Sequence, residues 1–128
     1  FHLRKLKSLP NVKYHGGYST FSAIVDPDFD VFLYTSESDG IPNVLLEAMS
    51  HGYVAIAPNV GGIGELVNEE TGFLVENYDD VDAYVAILKE LLGDKNLLKN
   101  KQEALKKLLA SRFSRENFVA TMKQIGML

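Results

Sequence analysis

The chain of 128 residues is 46% hydrophobic and 23% charged, enough for one core in an ordinary globular domain. Its net charge of -4 gives no compositional support for nucleic-acid binding through counterion release, and the absence of cysteine removes disulfides, thiolate metal sites and cysteine nucleophiles. No stretch approaches the ~20 consecutive apolar residues of a membrane span, and the start lacks the layout of a signal peptide.

The first ten residues, FHLRKLKSLP, read as the tail of a helix, with Leu3, Leu6 and Leu9 near helical spacing and Pro10 as its stop. An opening of this kind is expected of an excerpt that begins inside a larger domain. NVKYHGG then offers a short strand, with Val12 and Tyr14 on one face and the Gly16-Gly17 pair closing it. FSAIVDPDFD predicts about two turns of apolar helix ended by Asp26-Pro27. VFLYTS is a run of β-formers without polar alternation, the pattern of a central parallel strand covered on both faces.

A helix is expected from about Pro42 to His51, followed by the buried strand YVAIAPN, a glycine-rich turn VGGIGE into a short helix, and the strand GFLVE. From Asp79 the pattern is helical, with Val81, Tyr84, Val85, Leu88, Leu91 and Leu92 on one stripe and three aspartates in the first turn, where the helix dipole favours anions. A second helix, about Asn96 to Ser111, is expected to bury Leu97, Leu98, Leu105, Leu108 and Leu109. Ser114 reads as the cap of a last helix containing Phe118, Val119, Met122 and Ile125. Strand and helix alternate four times, which predicts an α/β fold: a Rossmann-like parallel sheet with helices on both faces, ending in several helices.

In such sheets ligands bind beyond the carboxyl ends of the strands, and SESDGIP leaves the strand VFLYTS at that edge. Pro42 suits the first helical position, making Ile41 the cap and leaving the N–H groups of Asn43 and Val44 without partners. An uncapped helix start is a ready cradle for phosphate or sugar hydroxyls. On the helical wheel Val44, Leu45, Ala48 and Met49 fall on the buried face, while Asn43, Glu47, Ser50 and His51 share the other. Asp39 and Glu47 therefore bracket the cradle, and a carboxylate is suited to accept two hydrogen bonds from a vicinal diol. This arrangement requires both acids to face the cradle, with Glu47 not turned out into bulk solvent. The three histidines are scattered and lack ligand spacing, so no metal is expected. The spacing in VGGIGE is wrong for a dinucleotide fingerprint, and no nucleophile elbow surrounds Ser36.

The stretch SESDGIPNVLLEAMSHGYVAIAPNVGGIGELV resembles the nucleotide-binding domain of retaining glycosyltransferases of the GT-B fold, family 4 type. That resemblance implies that residues 1–128 are a single truncated donor domain, the C-terminal half of a GT-B fold, with the acceptor domain absent. By it, Glu47 holds the ribose diol, and Asp39 is the catalytic-site acid on a donor-sugar hydroxyl. Backbone amides of Gly40, Ile41, Asn43, Val44 and Leu45 approach the sugar and diphosphate, and Gly16 lies near the base. The implied substrate is a nucleoside-diphosphate sugar such as a UDP-sugar, with no cofactor and no metal. The implied acceptor is a sugar or lipid-linked sugar bound through the missing domain, in a cytoplasmic polysaccharide-biosynthesis enzyme whose contact with a membrane is left open. The first acid is Asp where the family more often has Glu, and the family's basic diphosphate clamp has no counterpart in Arg4 or Lys5. The competing reading is a noncatalytic nucleotide-binding or regulatory α/β module.

Overall fold

The structure is a computed structural model that describes residues 3–37 and 42–111, with Glu116, Ala120, Lys123 and Gln124 beyond them. In chain order the elements are α1 (Leu3–Lys7), a 3-10 turn (Phe21–Ala23), β1 (Val31–Leu33), α2 (Asn43–Ser50), β2 (Val54–Pro58), α3 (Ile63–Leu66), β3 (Gly72–Val75), α4 (Val81–Gly93) and α5 (Lys95–Ser111). The strands form a parallel sheet in the order β1-β2-β3, with Val31 opposite Val54 and Ala55 opposite Gly72. The expected α/β architecture is present.

The period of two along β2 divides the core. Ala55 and Ala57 face one side, where Leu45 and Met49 of α2, Ile63 of α3, Val67 and Leu105 of α5 are packed. Ile56 faces the other side, against Val75, Tyr84 and Leu91, with Leu97 and Leu98 at the margin. Helices thus cover both faces, and every residue of β2 is buried. Leu45, Ile56, Ile63 and Leu105 are 0% exposed, and each contributes roughly 1.5–3 kcal/mol by burial. That outweighs a surface contact such as Lys7 over the Tyr14 ring at 4.1 Å, worth about 0.5–1 kcal/mol, so the layered sheet holds the fold and the N-terminal segment adds little.

Several expectations are corrected. VFLYTS forms the edge of the described sheet and not its centre; Phe32 is half-buried and Leu33 is 45% exposed. Central position falls to β2, because β1 has a described neighbour on one side alone. Residues 11–17 form no strand, since an extended segment becomes one only when its N–H and C=O groups find a ladder partner, and the Val12 amide turns back to Leu9. The two apolar helical turns shrink to Phe21–Ala23: Ile24 and Val25 are β-branched, and Asp26 precedes Pro27, which disfavours helical geometry there. The stripe on α4 is narrower than its periodicity suggests, with Tyr84 and Leu91 buried but Val81 and Leu92 68% and 83% exposed. On α5 the leucines are accompanied inward by Lys101, which the hydrophobic pattern did not indicate. Ser114, Phe118, Val119, Met122 and Ile125 lie outside the described residues.

Helix α2 ends in a Schellman motif. The Tyr53 amide donates to Ala48 O at 3.2 Å and the Gly52 amide to Met49 O at 2.9 Å, while Gly52 takes φ 87°. The turn delivers Tyr53 into a small cluster with Phe21 and Ala48. The Tyr53 hydroxyl then donates to Asp26 O at 2.8 Å and accepts from the Asp26 amide at 3.0 Å, tying the turn before β1 to the entry of β2.

Candidate functional site at the amino end of helix α2

Helix α2 begins at the carboxyl edge of the sheet because β1 runs directly into the loop before it. Its cap is Pro42, with φ −74° and ψ 129° and no side chain able to cap. This corrects the expected register by one residue, since Pro42 stands outside the helix instead of at its first position. The Pro42 carbonyl accepts from the amides of Leu45 at 3.1 Å and Leu46 at 3.3 Å. Among the described residues, the amides of Asn43 and Val44 have no acceptor. The positive end of the α2 dipole thus carries two amides that no described residue engages.

The side chains sort as the wheel predicts, with one addition. Leu45, Ala48 and Met49 are buried, Val44 is half-buried, and Leu46 joins the buried set at 3% exposure. Leu45 thus contributes to the core through its side chain, and its amide is engaged by Pro42. Asn43, Glu47 and Ser50 are exposed on the other face, so Glu47 stands one turn above Asn43. The Glu47 main-chain carbonyl accepts from Ser50 Oγ at 2.7 Å and bonds His51 Nδ1 at 2.8 Å, which closes the end of the helix. The expectation of a Glu47 shielded from solvent is not met. Accessibility does not separate the two readings of this acid, however, because a carboxylate that takes sugar hydroxyls from solution is open wherever only protein atoms surround it.

Asp39, Gly40 and Ile41 lie outside the described residues. Gly16 is exposed with φ 70°, and no hydrogen bond among the described residues links it to α2.

Residues after the other two strands complete this edge. Asn59 follows β2 and Glu76 follows β3, and Asn59 Nδ2 donates to Glu76 Oε1 at 3.4 Å. Glu37, after β1, hydrogen-bonds the Tyr78 phenol; that bond and the charge of Glu37, then the charge of Asp79, raise its pKa above the ordinary 10.0. Reading from the sequence singled out the exit of β1 and passed over those of β2 and β3. Applying the carboxyl-edge rule to every strand would have found Asn59 and Glu76.

Among the described residues no group of three or more His, Asp or Glu side chains is placed to hold a metal ion, and no helix is long and apolar enough to cross a membrane. A cleft of about 430 Å³ lies between α5 and the turn before β3, lined by Asn68, Thr71, Asn100, Glu103 and Lys107 among others. It contains none of the predicted site residues and sits at the amino end of β3, away from the α2 cradle.

The family described as Glycosyl transferases group 1 matches residues 2–94. The chain is 43% identical over 70 residues to a sulfoquinovosyl transferase of Arabidopsis thaliana, covering 52% of this chain and 14% of that protein. It is 41% identical over 69 residues to the UDP-Gal:alpha-D-GlcNAc-diphosphoundecaprenol alpha-1,3-galactosyltransferase of Escherichia coli, covering 53% and 18%. With the N-acetyl-alpha-D-glucosaminyl L-malate synthase of Bacillus anthracis it shares 33% identity over 97 residues, covering 75% and 25%. The aligned part spans no more than 25% of any of these three relatives.

Proposed function

Because the chain belongs to the group 1 glycosyl transferases, we propose that it is the donor-binding part of an enzyme that moves a sugar from a nucleoside-diphosphate sugar to an acceptor with retention of configuration. The observation that carries this reading is the amino end of α2. Pro42 provides no side-chain cap, the Asn43 and Val44 amides have no acceptor among the described residues, and Glu47 stands one turn away on the same face. Breaking the bond between sugar and diphosphate leaves negative charge on the diphosphate, and preorganised amides at a helix start stabilise charge of that kind. Glu47 accepts hydrogen bonds from the ribose diol, and Asp39 accepts one from a hydroxyl of the donor sugar. The scheme uses no metal and no cofactor.

The donor is a UDP-sugar in this reading, as the name of the Escherichia coli relative specifies for that enzyme. The acceptor, a sugar or lipid-linked sugar, is bound by a domain outside these 128 residues. Residues 1–128 alone are therefore expected to bind nucleotide weakly and to transfer nothing.

The test is saturation-transfer NMR on the full-length protein with UDP and UDP-sugars. Contact at the ribose protons that disappears in Glu47→Ala supports the reading. Absence of binding by every nucleotide, or ribose contact unchanged in Glu47→Ala, rejects it, and the first result favours a noncatalytic module.

A further inference from the structure

Asn59 is the first residue after β2, the central strand, and its backbone and side chain are both tied to the exit of β3. Its amide donates to Val75 O at 2.7 Å, and its Nδ2 donates to Glu76 Oε1 at 3.4 Å. Its remaining polar atom, Oδ1, lies against the backbone of Gly64, where a Cβ would sit 2.8 Å from that oxygen. Such an approach is closer than van der Waals contact allows. Gly64 is not among the glycines with positive φ, so a side chain added there would be opposed by the Asn59 carboxamide, which would have to shift, and not by the backbone's own conformation.

The carboxamide is thus bonded to Glu76 at one end and packed against Gly64 at the other, and residues 60–63 between Asn59 and Gly64 form a short loop. That loop carries Val60 and Ile63, which pack in the same cluster as Leu45 in the first turn of α2. Ile63 and Leu45 are both 0% exposed, so displacement of the loop is transmitted to the helix start through close-packed atoms.

We propose that Asn59 is a positioning residue: by bonding Val75 and Glu76 and packing against Gly64 it holds the loop 60–63 against α2, and so places the Asn43 and Val44 amides and Glu47 for a nucleoside diphosphate. The inference rests on the donor-site reading above. Asn59 touches no substrate in this account. An amide suits the position because its Nδ2 donates to the Glu76 carboxylate. Aspartate would present acceptors at both ends and set a second negative charge beside Glu76.

The experiment uses the full-length protein, with UDP and GDP dissociation constants from calorimetry and unfolding midpoints for each variant. Asn59→Asp and Gly64→Ala are each expected to weaken nucleotide binding roughly five-fold, the equivalent of about one hydrogen bond. Adding Glu76→Gln to Asn59→Asp restores a donor opposite the new carboxylate, and is expected to return the affinity to that of the wild type. A merely structural role would lower the unfolding midpoint without this restoration. Wild-type affinity in Asn59→Asp, or no recovery in the double variant, overturns the positioning role. Glu47→Ala separates the two claims: if it abolishes binding while Asn59→Asp leaves it intact, only the positioning inference falls. If Glu47→Ala has no effect, or the wild type binds neither UDP nor GDP, the donor-site reading falls and takes this inference with it.

Discussion

The ammonium of Lys101 donates to the carbonyl of Gly72 at 3.1 Å, joining the middle of α5 to the first residue of β3. The same Nζ donates to Glu69 O and lies 4.2 Å from the centroid of the Phe73 ring. A lysine that is 8% exposed would be costly without partners; here two carbonyls and an aromatic face replace water. The contact fixes α5 against the sheet at the place where Leu105 enters the core.

Lys101→Met keeps the length of the side chain and removes its donors. It is expected to destabilise the fold by about 1–3 kcal/mol, read by chemical unfolding, because it leaves main-chain acceptors without their donor. The pH dependence has a definite sign. Burial lowers the Lys101 pKa below the ordinary 10.5, with partial compensation from Glu90 and Glu69. The native state therefore releases this proton before the unfolded state does. The contribution of Lys101 to stability is smallest below the lowered native pKa and grows as pH rises toward 10.5. Tyr78 and Tyr84, with raised native pKa values, act oppositely, since the unfolded chain ionises first above pH 10.0 and stability is lost. Comparing wild type with Lys101→Met across this range cancels the tyrosines. A gap that narrows as pH rises would contradict the assignment.

Tyr84 has the opposite problem to Lys101. Its ring is buried on the face of β2 that carries Ile56, and its hydroxyl has no hydrogen-bond partner among the described residues. Burial, followed by the charges of Asp79 and Asp80, raises its pKa. Tyr84→Phe removes a desolvated polar group while keeping the ring, and is expected to raise stability by about 1 kcal/mol. Thermal unfolding at neutral pH measures this directly; a lower midpoint in the variant would show that the hydroxyl makes a favourable contact in solution.

Gly52 is predicted to be replaceable according to backbone preference alone. Its φ of 87° closes the end of α2, and an added Cβ would meet nothing within 4 Å. Gly52→Ala should cost about 1 kcal/mol from the left-handed conformation, and Gly52→Asn less, because Asn tolerates that region better. Equal losses for the two variants in denaturant unfolding would point to crowding in place of backbone strain.

The site was legible in the sequence to the extent that it depends on local order. The α2 wheel assigned Asn43 and Glu47 to the open face, and an uncapped helix start follows from having no Ser, Thr, Asp or Asn at the expected cap, Ile41, or at the observed one, Pro42. The pairing of Asn59 with Glu76 was not legible, since the two residues are adjacent only because β2 and β3 pair in parallel. Gly64 likewise looked like one more glycine in a turn. What a side chain there would meet is the carboxamide of Asn59, five positions earlier, which folds back onto it.

The sequence by itself determined what has a period: the fully apolar β2, the amphipathic stripes of α4 and α5 with aspartates at the start of α4, and the alternation of strand and helix that leads to a parallel sheet. These follow from spacing along one chain segment and need no knowledge of its neighbours. Only the tertiary structure decided which strand is central, which leucines on the stripes are covered, and that Lys101 goes inside. Each of those depends on how many elements surround a residue and where their carbonyls point, and that is a property of the assembled layers that no local pattern encodes.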